Sequence, residues 1–110
     1  MHLPNYLEFK TPDVAATKRF YAQVFAFEFV DYGDEYAGVS GDGVEIGLHR
    51  SDAGEPPLVG FQADDIDAAQ ARVREAGGDI VQDTYEFPGG RRFHFRDPGG
   101  NELLVYQYDE

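Results

Sequence analysis

The chain has 110 residues, enough for one domain with a modest core but too few for two separate ones. It has no cysteine, which excludes disulfides and thiolate metal sites, and no apolar run of membrane-spanning length. A formal net charge of -12 would repel nucleic-acid phosphates; it favours a cationic ligand, or it serves only to keep the surface soluble. We therefore expect a cytoplasmic protein that binds neither nucleic acid nor membrane.

The first half of the chain has the pattern of a strand, a helix and three short strands. Polar and apolar side chains alternate over residues 6–10, which predicts a strand with Leu7 and Phe9 facing the core. Thr11 or Asp13 can cap the helix that follows, where apolar side chains recur at roughly helical spacing. The three further strands are predicted at residues 27–30, 36–39 and 44–49.

The second half repeats this pattern. Asp65 is placed to cap a helix over residues 66–76, and Gly77 and Gly78 can end it through the left-handed conformation that glycine allows. Strands are predicted at residues 58–63, 80–82, 91–96 and 102–108.

These elements form two βαβββ modules within a single domain of residues 1–110. Module one covers about residues 1–50, a proline-containing joint covers about 51–57, and module two covers about 58–110. Asp13-Val14-Ala15-Ala16 after the first strand is echoed by Asp65-Ile66-Asp67-Ala68-Ala69 in module two. The two modules are therefore predicted to be an internal repeat.

The run Asp97-Pro98-Gly99-Gly100-Asn101 predicts a tight turn between two strands. Asp97 can bond to the backbone two residues on, Pro98 presets φ, and the last three residues tolerate positive φ. The aromatic and β-branched residues on both sides are typical of strands.

Several of these motifs resemble the vicinal-oxygen-chelate superfamily, the group of glyoxalases, bleomycin-resistance proteins and ring-cleaving dioxygenases. The turn resembles the family's closing Asp-Pro-x-Gly-Asn, and the first helix carries its matching pairs Asp13-Val14, Phe20-Tyr21 and Phe25-Ala26. Ala26 replaces the usual glycine, and because a β-carbon at positive φ costs about 1 kcal/mol, we expect a slightly altered helix exit. The resemblance implies an α+β fold in which two βαβββ modules form a cupped mixed sheet with helices on the convex face.

The family normally holds a divalent metal on the concave face, with His, Gln or Glu ligands from the first and last strands of each module. The matching positions here are Tyr6, Gly47, Leu58 and Leu104, and none is a normal ligand for Zn²⁺, Ni²⁺, Mn²⁺ or Fe²⁺. The resemblance therefore implies that the family metal is absent, and we predict no cofactor. A relocated site of two histidines and one carboxylate would need convergence of Glu8, His49 and His94.

The concave face can still bind a small molecule without a metal. Strand alternation predicts a lining of aromatic, apolar and a few polar side chains. The predicted ligand-binding residues are Tyr6, Glu8, Glu45, His49, Leu58, Gln62, Arg92, His94, Leu104 and Tyr106.

The charged members of this lining each have two interpretations. Glu8 and Glu45 could orient a cation, or could be solvated or paired with arginine. Arg92 could bind a carboxylate or phosphate with two hydrogen bonds, or form a surface ion pair. His94 is the first candidate for proton transfer and Glu8 the second, the alternative for His94 being a hydrogen-bonded structural role.

Two functions follow. The first is a metal-free protein of the bleomycin-resistance type that binds a small organic molecule, with a cation favoured by the acidic charge. The alternative is a lyase, isomerase or transferase of the same superfamily, acting through a relocated metal or through Glu8 and His94 acid–base chemistry. The family commonly dimerises, and exposed strand edges favour association, so we also predict a homodimer.

Overall fold

The computed structural model describes residues 3–41 and 43–110, and these form two compact units. Module one is Tyr6–Pro57, and module two is Leu58–Glu110 together with residues 3–5. Residues 3–5 belong to module two because the Asn5 backbone N–H donates to the Gly60 carbonyl at 3.1 Å. None of the helices in the described part of the chain is both long and apolar enough to cross a membrane.

Module one consists of one helix and a four-stranded mixed sheet. Its elements are β1 (Tyr6–Thr11), α1 (Val14–Phe25), β2 (Val30–Asp31), β3 (Tyr36–Ser40) and β4 (Glu45–Arg50). The strand order is β2-β3-β4-β1, and β1 runs parallel to β4 while the other neighbours are antiparallel. Asp13 is the N-cap of α1, since its carboxylate accepts the Ala16 backbone N–H at 2.9 Å.

Two predictions for the segment after α1 are wrong. Only Val30 of the strand predicted at residues 27–30 pairs in the sheet, because Phe27 stacks on Phe25, with ring centroids 5.5 Å apart, and Phe29 packs on the core. The altered helix exit at Ala26 is not found either. Ala26 keeps the left-handed conformation, with φ 60° and ψ 30°, although it carries a β-carbon.

Module two repeats the architecture with longer strands. Its elements are β5 (Leu58–Gln62), α2 (Ile66–Glu75), β6 (Asp79–Phe87), β7 (Gly90–Arg96) and β8 (Glu102–Tyr108). The order is β5-β8-β7-β6, with β5 parallel to β8 and the others antiparallel. Asp65 caps α2 through the Ala68 N–H at 3.1 Å, as predicted, and Gly77 leaves the helix with φ +90°.

Strand β6 is much longer than the predicted strand at residues 80–82. It pairs with β7 as far as the Phe87–Gly90 pair, and the register shifts twice, between Ile80 and Gln82 and between Gln82 and Tyr85. These irregularities interrupt the alternation of polar and apolar side chains from which a strand is recognised in a sequence.

Each sheet packs one face against its own helix. In module one Val14, Ala37 and Leu48 form the buried cluster, with the predicted Phe9 against it. In module two the buried cluster is Ile66, Phe93 and Val105, with Phe61 and Phe95 alongside. Side chains that alternate with these core residues lie on the opposite face of each sheet, away from the helix.

The turn from β7 to β8 forms as predicted from its sequence. The Asp97 carboxylate accepts the Asn101 backbone N–H at 2.9 Å, and the Gly100 N–H donates to the Asp97 carbonyl at 2.9 Å. Gly100 supplies the positive φ, at +85°. Hydrogen bonds from the Asn101 side chain and backbone lower the pKa of Asp97, because they stabilise its charged form.

Candidate functional site

The predicted site residues of module one share one face of its sheet. Strand β1 pairs with β4 so that Tyr6 lies beside Glu45, Glu8 beside Gly47 and Lys10 beside His49. This face is opposite to the one that carries Phe9 and Leu48 into the core. Glu45 is half-buried on this face and His49 is exposed.

The centre of this face is a buried group of hydroxyls around a carboxylate. The Tyr6 hydroxyl donates to Glu8 Oε1 at 2.9 Å, and the Tyr6 and Tyr36 hydroxyl oxygens are 3.0 Å apart. Glu8 is 1% exposed and its second oxygen lies 3.7 Å from Lys10 Nζ. Burial above all, and then the charge of Glu8, raise the pKa of Tyr6 above its ordinary value, so its hydroxyl stays protonated.

Burial excludes one of the interpretations predicted for Glu8. It is not solvated, since the residue is only 1% exposed. Lys10 is a cationic neighbour of Glu8, and its ammonium also lies 3.3 Å from Glu55. Lys10 and Tyr6 place a cation and a hydroxyl beside this buried carboxylate, and both compensate part of the cost of its desolvation.

Gly47 lies directly beneath the two tyrosine hydroxyls. A β-carbon at this position would overlap the hydroxyl oxygens of Tyr6 and Tyr36. Gly47 itself is buried, and its φ is not in the left-handed region, so space rather than backbone conformation requires glycine here. The hydroxyl pair and the glycine are therefore one steric unit.

The predicted residues of module two also share one face. The pairing of four strands places Gln62, Tyr106, Arg92 and Tyr85 side by side in one row. Leu104 and His94 are neighbours in the next row, and Leu58 is on the same face as Gln62 by alternation. This face is opposite to Phe93, Phe95 and Val105 of the core.

Two hydrogen-bonded groups start from side chains of this row. The Tyr106 hydroxyl donates to Asn5 Oδ1 at 2.6 Å, and Asn5 Nδ2 donates to Gln62 Oε1 at 3.2 Å. Asn5 carried no signal in the sequence, because it precedes β1 in the chain and is recruited by module two.

The second group runs from Arg92 through Tyr85 and His94 to Glu102. Arg92 Nε donates to the Tyr85 hydroxyl at 2.5 Å, and that hydroxyl lies 2.8 Å from His94 Nε2. His94 Nδ1 lies 3.1 Å from Glu102 Oε2. Sequence analysis missed Tyr85, since the predicted strand stopped at residue 82, and it gave Glu102 no role because the residue only opened a strand.

The comparisons with known proteins agree with this architecture. Residues 4–105 match the family model described as Glyoxalase/Bleomycin resistance protein/Dioxygenase superfamily. The chain belongs to this superfamily. The α+β class with two βαβββ modules, predicted from the sequence, is therefore confirmed as the glyoxalase-like fold of the superfamily.

Individual relatives in the superfamily are distant. The anthracycline biosynthesis protein DnrV of Streptomyces peucetius is 30% identical over 127 aligned positions, covering 94% of this chain and 46% of that protein. The chain thus spans about half the length of the curated relatives it matches. The Mn(II)-bound glyoxalase from Novosphingobium aromaticivorans has a TM-score of 0.69 and 26% identity, over 94% of this chain and 38% of that one.

A further structural neighbour shows the fold alone. The methylmalonyl-CoA epimerase from Mycobacterium tuberculosis has a TM-score of 0.77 but only 15% identity, over 97% of this chain and 88% of that chain. At this identity the likeness carries no information about residues or chemistry.

The residues predicted to match the superfamily's usual ligand positions do not have the chemistry to bind a divalent metal. Tyr6 stays protonated and donates its hydrogen to Glu8, and Gly47 has no side chain. Leu58 and Leu104 are 4% and 0% exposed and have no donor atom. Within residues 3–41 and 43–110, no group of three or more His, Asp or Glu side chains is arranged to hold a metal ion, so nothing supports the relocated site of Glu8, His49 and His94.

Proposed function

We propose that this chain is a member of the superfamily that binds a small organic molecule without a metal. The observation that carries the proposal is the steric unit of Tyr6, Tyr36 and Gly47. Gly47 matches the position at which the superfamily usually has a metal ligand. The Tyr6 and Tyr36 hydroxyls fill the space that a longer side chain would need. The proposal assigns the faces opposite the helices to binding.

Charge and relatives favour an aromatic cation as the ligand. The net charge of -12 attracts cations, and Glu45 is a half-buried acid on the relevant face of module one. Glu8, the other predicted acid, is 1% exposed, whereas Glu45 is only half-buried, which makes Glu45 the first of the two to test. The relative from Streptomyces peucetius is named for anthracycline biosynthesis, which makes an anthracycline a reasonable first probe.

Calorimetry on chelator-stripped protein tests the metal-free part of the proposal. We expect Ni²⁺, Zn²⁺, Mn²⁺ and Fe²⁺ to show only weak surface association, because the ligand positions lack donor atoms. Tight binding of about one metal per chain would contradict the proposal. Glu45→Gln serves as the control. It should reduce weak association of metal with that carboxylate, whereas it would leave tight binding at a site elsewhere unchanged.

Fluorescence titration with daunorubicin tests the ligand class. We expect saturable binding that weakens about fivefold in Glu45→Gln, as the loss of about 1 kcal/mol of charge attraction implies. Glu28→Gln is the matched control, because Glu28 is an exposed acid and the net charge changes equally. Absence of saturable binding, or equal weakening in both variants, would reject a cationic aromatic ligand held at Glu45.

Acid–base catalysis is the second candidate function. It is favoured by one observation, the contact of His94 with Glu102 on one side and Tyr85 on the other. A histidine oriented by a carboxylate and aimed at a hydroxyl is an arrangement suited to proton transfer.

A further inference from the structure

The hydrogen bonds around Tyr85 have directions that follow from the chemistry of their end groups. Arg92 Nε can only donate, so the Tyr85 oxygen accepts from it. At the other end an ionised Glu102 can only accept, so His94 Nδ1 carries a hydrogen. With His94 neutral, Nε2 is then an acceptor, and the hydrogen between it and Tyr85 belongs to the hydroxyl.

Protonation of His94 reverses the role of Tyr85. A charged imidazole donates from both nitrogens, so the Tyr85 oxygen would accept from both Arg92 and His94. The hydroxyl hydrogen of Tyr85 would then point away from Arg92 and His94, toward a bound molecule. Tyr85 thus presents a lone pair to a ligand in one state and a hydrogen in the other.

The position of His94 suits a group that stores a proton. It is 8% exposed and held at both ring nitrogens, and the carboxylate at Nδ1 stabilises the imidazolium that forms when Nε2 accepts a proton. Tyr85 is half-buried, so part of this side chain is exposed. His49 contrasts with it, since it is exposed and lies edge-on to the Tyr36 ring.

These hydrogen-bonded side chains can deprotonate only ligands whose pKa lies within a limited range. Proton transfer is efficient when donor and acceptor are matched, and an ordinary imidazole has a pKa of about 6.5. Carboxylic acids are already ionised at neutral pH, and aliphatic alcohols are far too weak. Phenols and enols lie in the useful range, and the Arg92 guanidinium beside the Tyr85 oxygen favours the anion that they form.

We propose that Tyr85, His94 and Glu102 form a proton relay that ionises a bound phenol or enol. The O–H bond of the ligand breaks and its proton passes to the Tyr85 oxygen, while the Tyr85 proton passes to His94 Nε2. The electron pair stays on the ligand oxygen, beside Arg92. The relay needs no metal and no redox partner, and it goes beyond the binding proposed above.

The test uses 3-nitrophenol, whose anion absorbs visible light, in neutral buffer where the free probe stays protonated. Wild-type protein is expected to produce a saturable nitrophenolate band. In parallel, the His94 imidazole resonances in NMR spectra shift toward the protonated position as probe is added, while those of His49 stay in place. A missing band, or a His94 that does not shift, would overturn the proposal.

Three variants separate the relay from simple binding. His94→Gln retains a hydrogen-bonding side chain but cannot store the proton, and Tyr85→Phe removes the hydroxyl, so both should lose the band. His49→Gln is the matched control and should keep it. A band of wild-type size in His94→Gln or Tyr85→Phe would overturn the relay; if either variant fails to fold, the wild-type NMR measurement decides.

Discussion

Ala26 shows at the scale of one residue how the fold tolerates strain. It ends α1 at φ 60°, a conformation in which a β-carbon costs about 1 kcal/mol relative to glycine. We expect Ala26→Gly to raise the free energy of unfolding by about that amount in urea denaturation. Ala22→Gly, inside the same helix, should lower the free energy of unfolding by a similar amount. A loss of stability in both variants would show that the left-handed exit costs nothing here.

Single residues also show how far the site was predictable. The absence of donor atoms at Gly47, Leu58 and Leu104 could be seen from the sequence, because it depends on residue type alone. The contact of Tyr36 with Tyr6 could not, since it depends on the pairing of β3 and β1 on either side of β4. Whether the predicted lining residues touch a ligand stays a prediction.

At the scale of elements, caps and turns were the most predictable features and irregular strands the least. Asp13, Asp65 and the Asp97 turn carry their signals within a few neighbouring residues, so local chemistry fixes them. Strand β6 owes its length to pairing with β7, which no local pattern records. Tyr85 was missed for the same reason.

The turn between β7 and β8 predicts a dependence of stability on pH. Asp97 has a lowered pKa in the folded protein, so its charged form contributes stability above the pKa of the unfolded chain, near 4. That contribution is lost as the pH falls through the lower folded value. In urea denaturation, the free energy of unfolding of the wild type should exceed that of Asp97→Ala by more at neutral pH than in acid. A difference independent of pH would contradict this account, and Asp109→Ala, at the exposed C-terminus, is the control.

At the scale of the whole molecule, the predicted homodimer remains to be tested. Apolar side chains of α1 are unusually exposed, with Phe20 at 57%, Val24 at 53% and Phe25 at 59%. Surface of this kind is common where protein chains associate. Sedimentation velocity should therefore give twice the mass of the chain, and Phe20→Asp should shift it toward the monomer. Tyr32→Asp is the control, since Tyr32 lies outside the helix and is 64% exposed; a wild-type monomer at every concentration would reject the prediction.

The packing of Gly47 beneath two hydroxyls also constrains which substitutions this sequence can accept. A carboxylate side chain at position 47 would collide with the Tyr6 and Tyr36 hydroxyls unless both side chains shifted, so the substitution carries a packing cost. Replacement of the tyrosines by smaller residues would remove that cost. The order in which these three positions change therefore affects stability, because a side chain at position 47 is costly while both tyrosines are present.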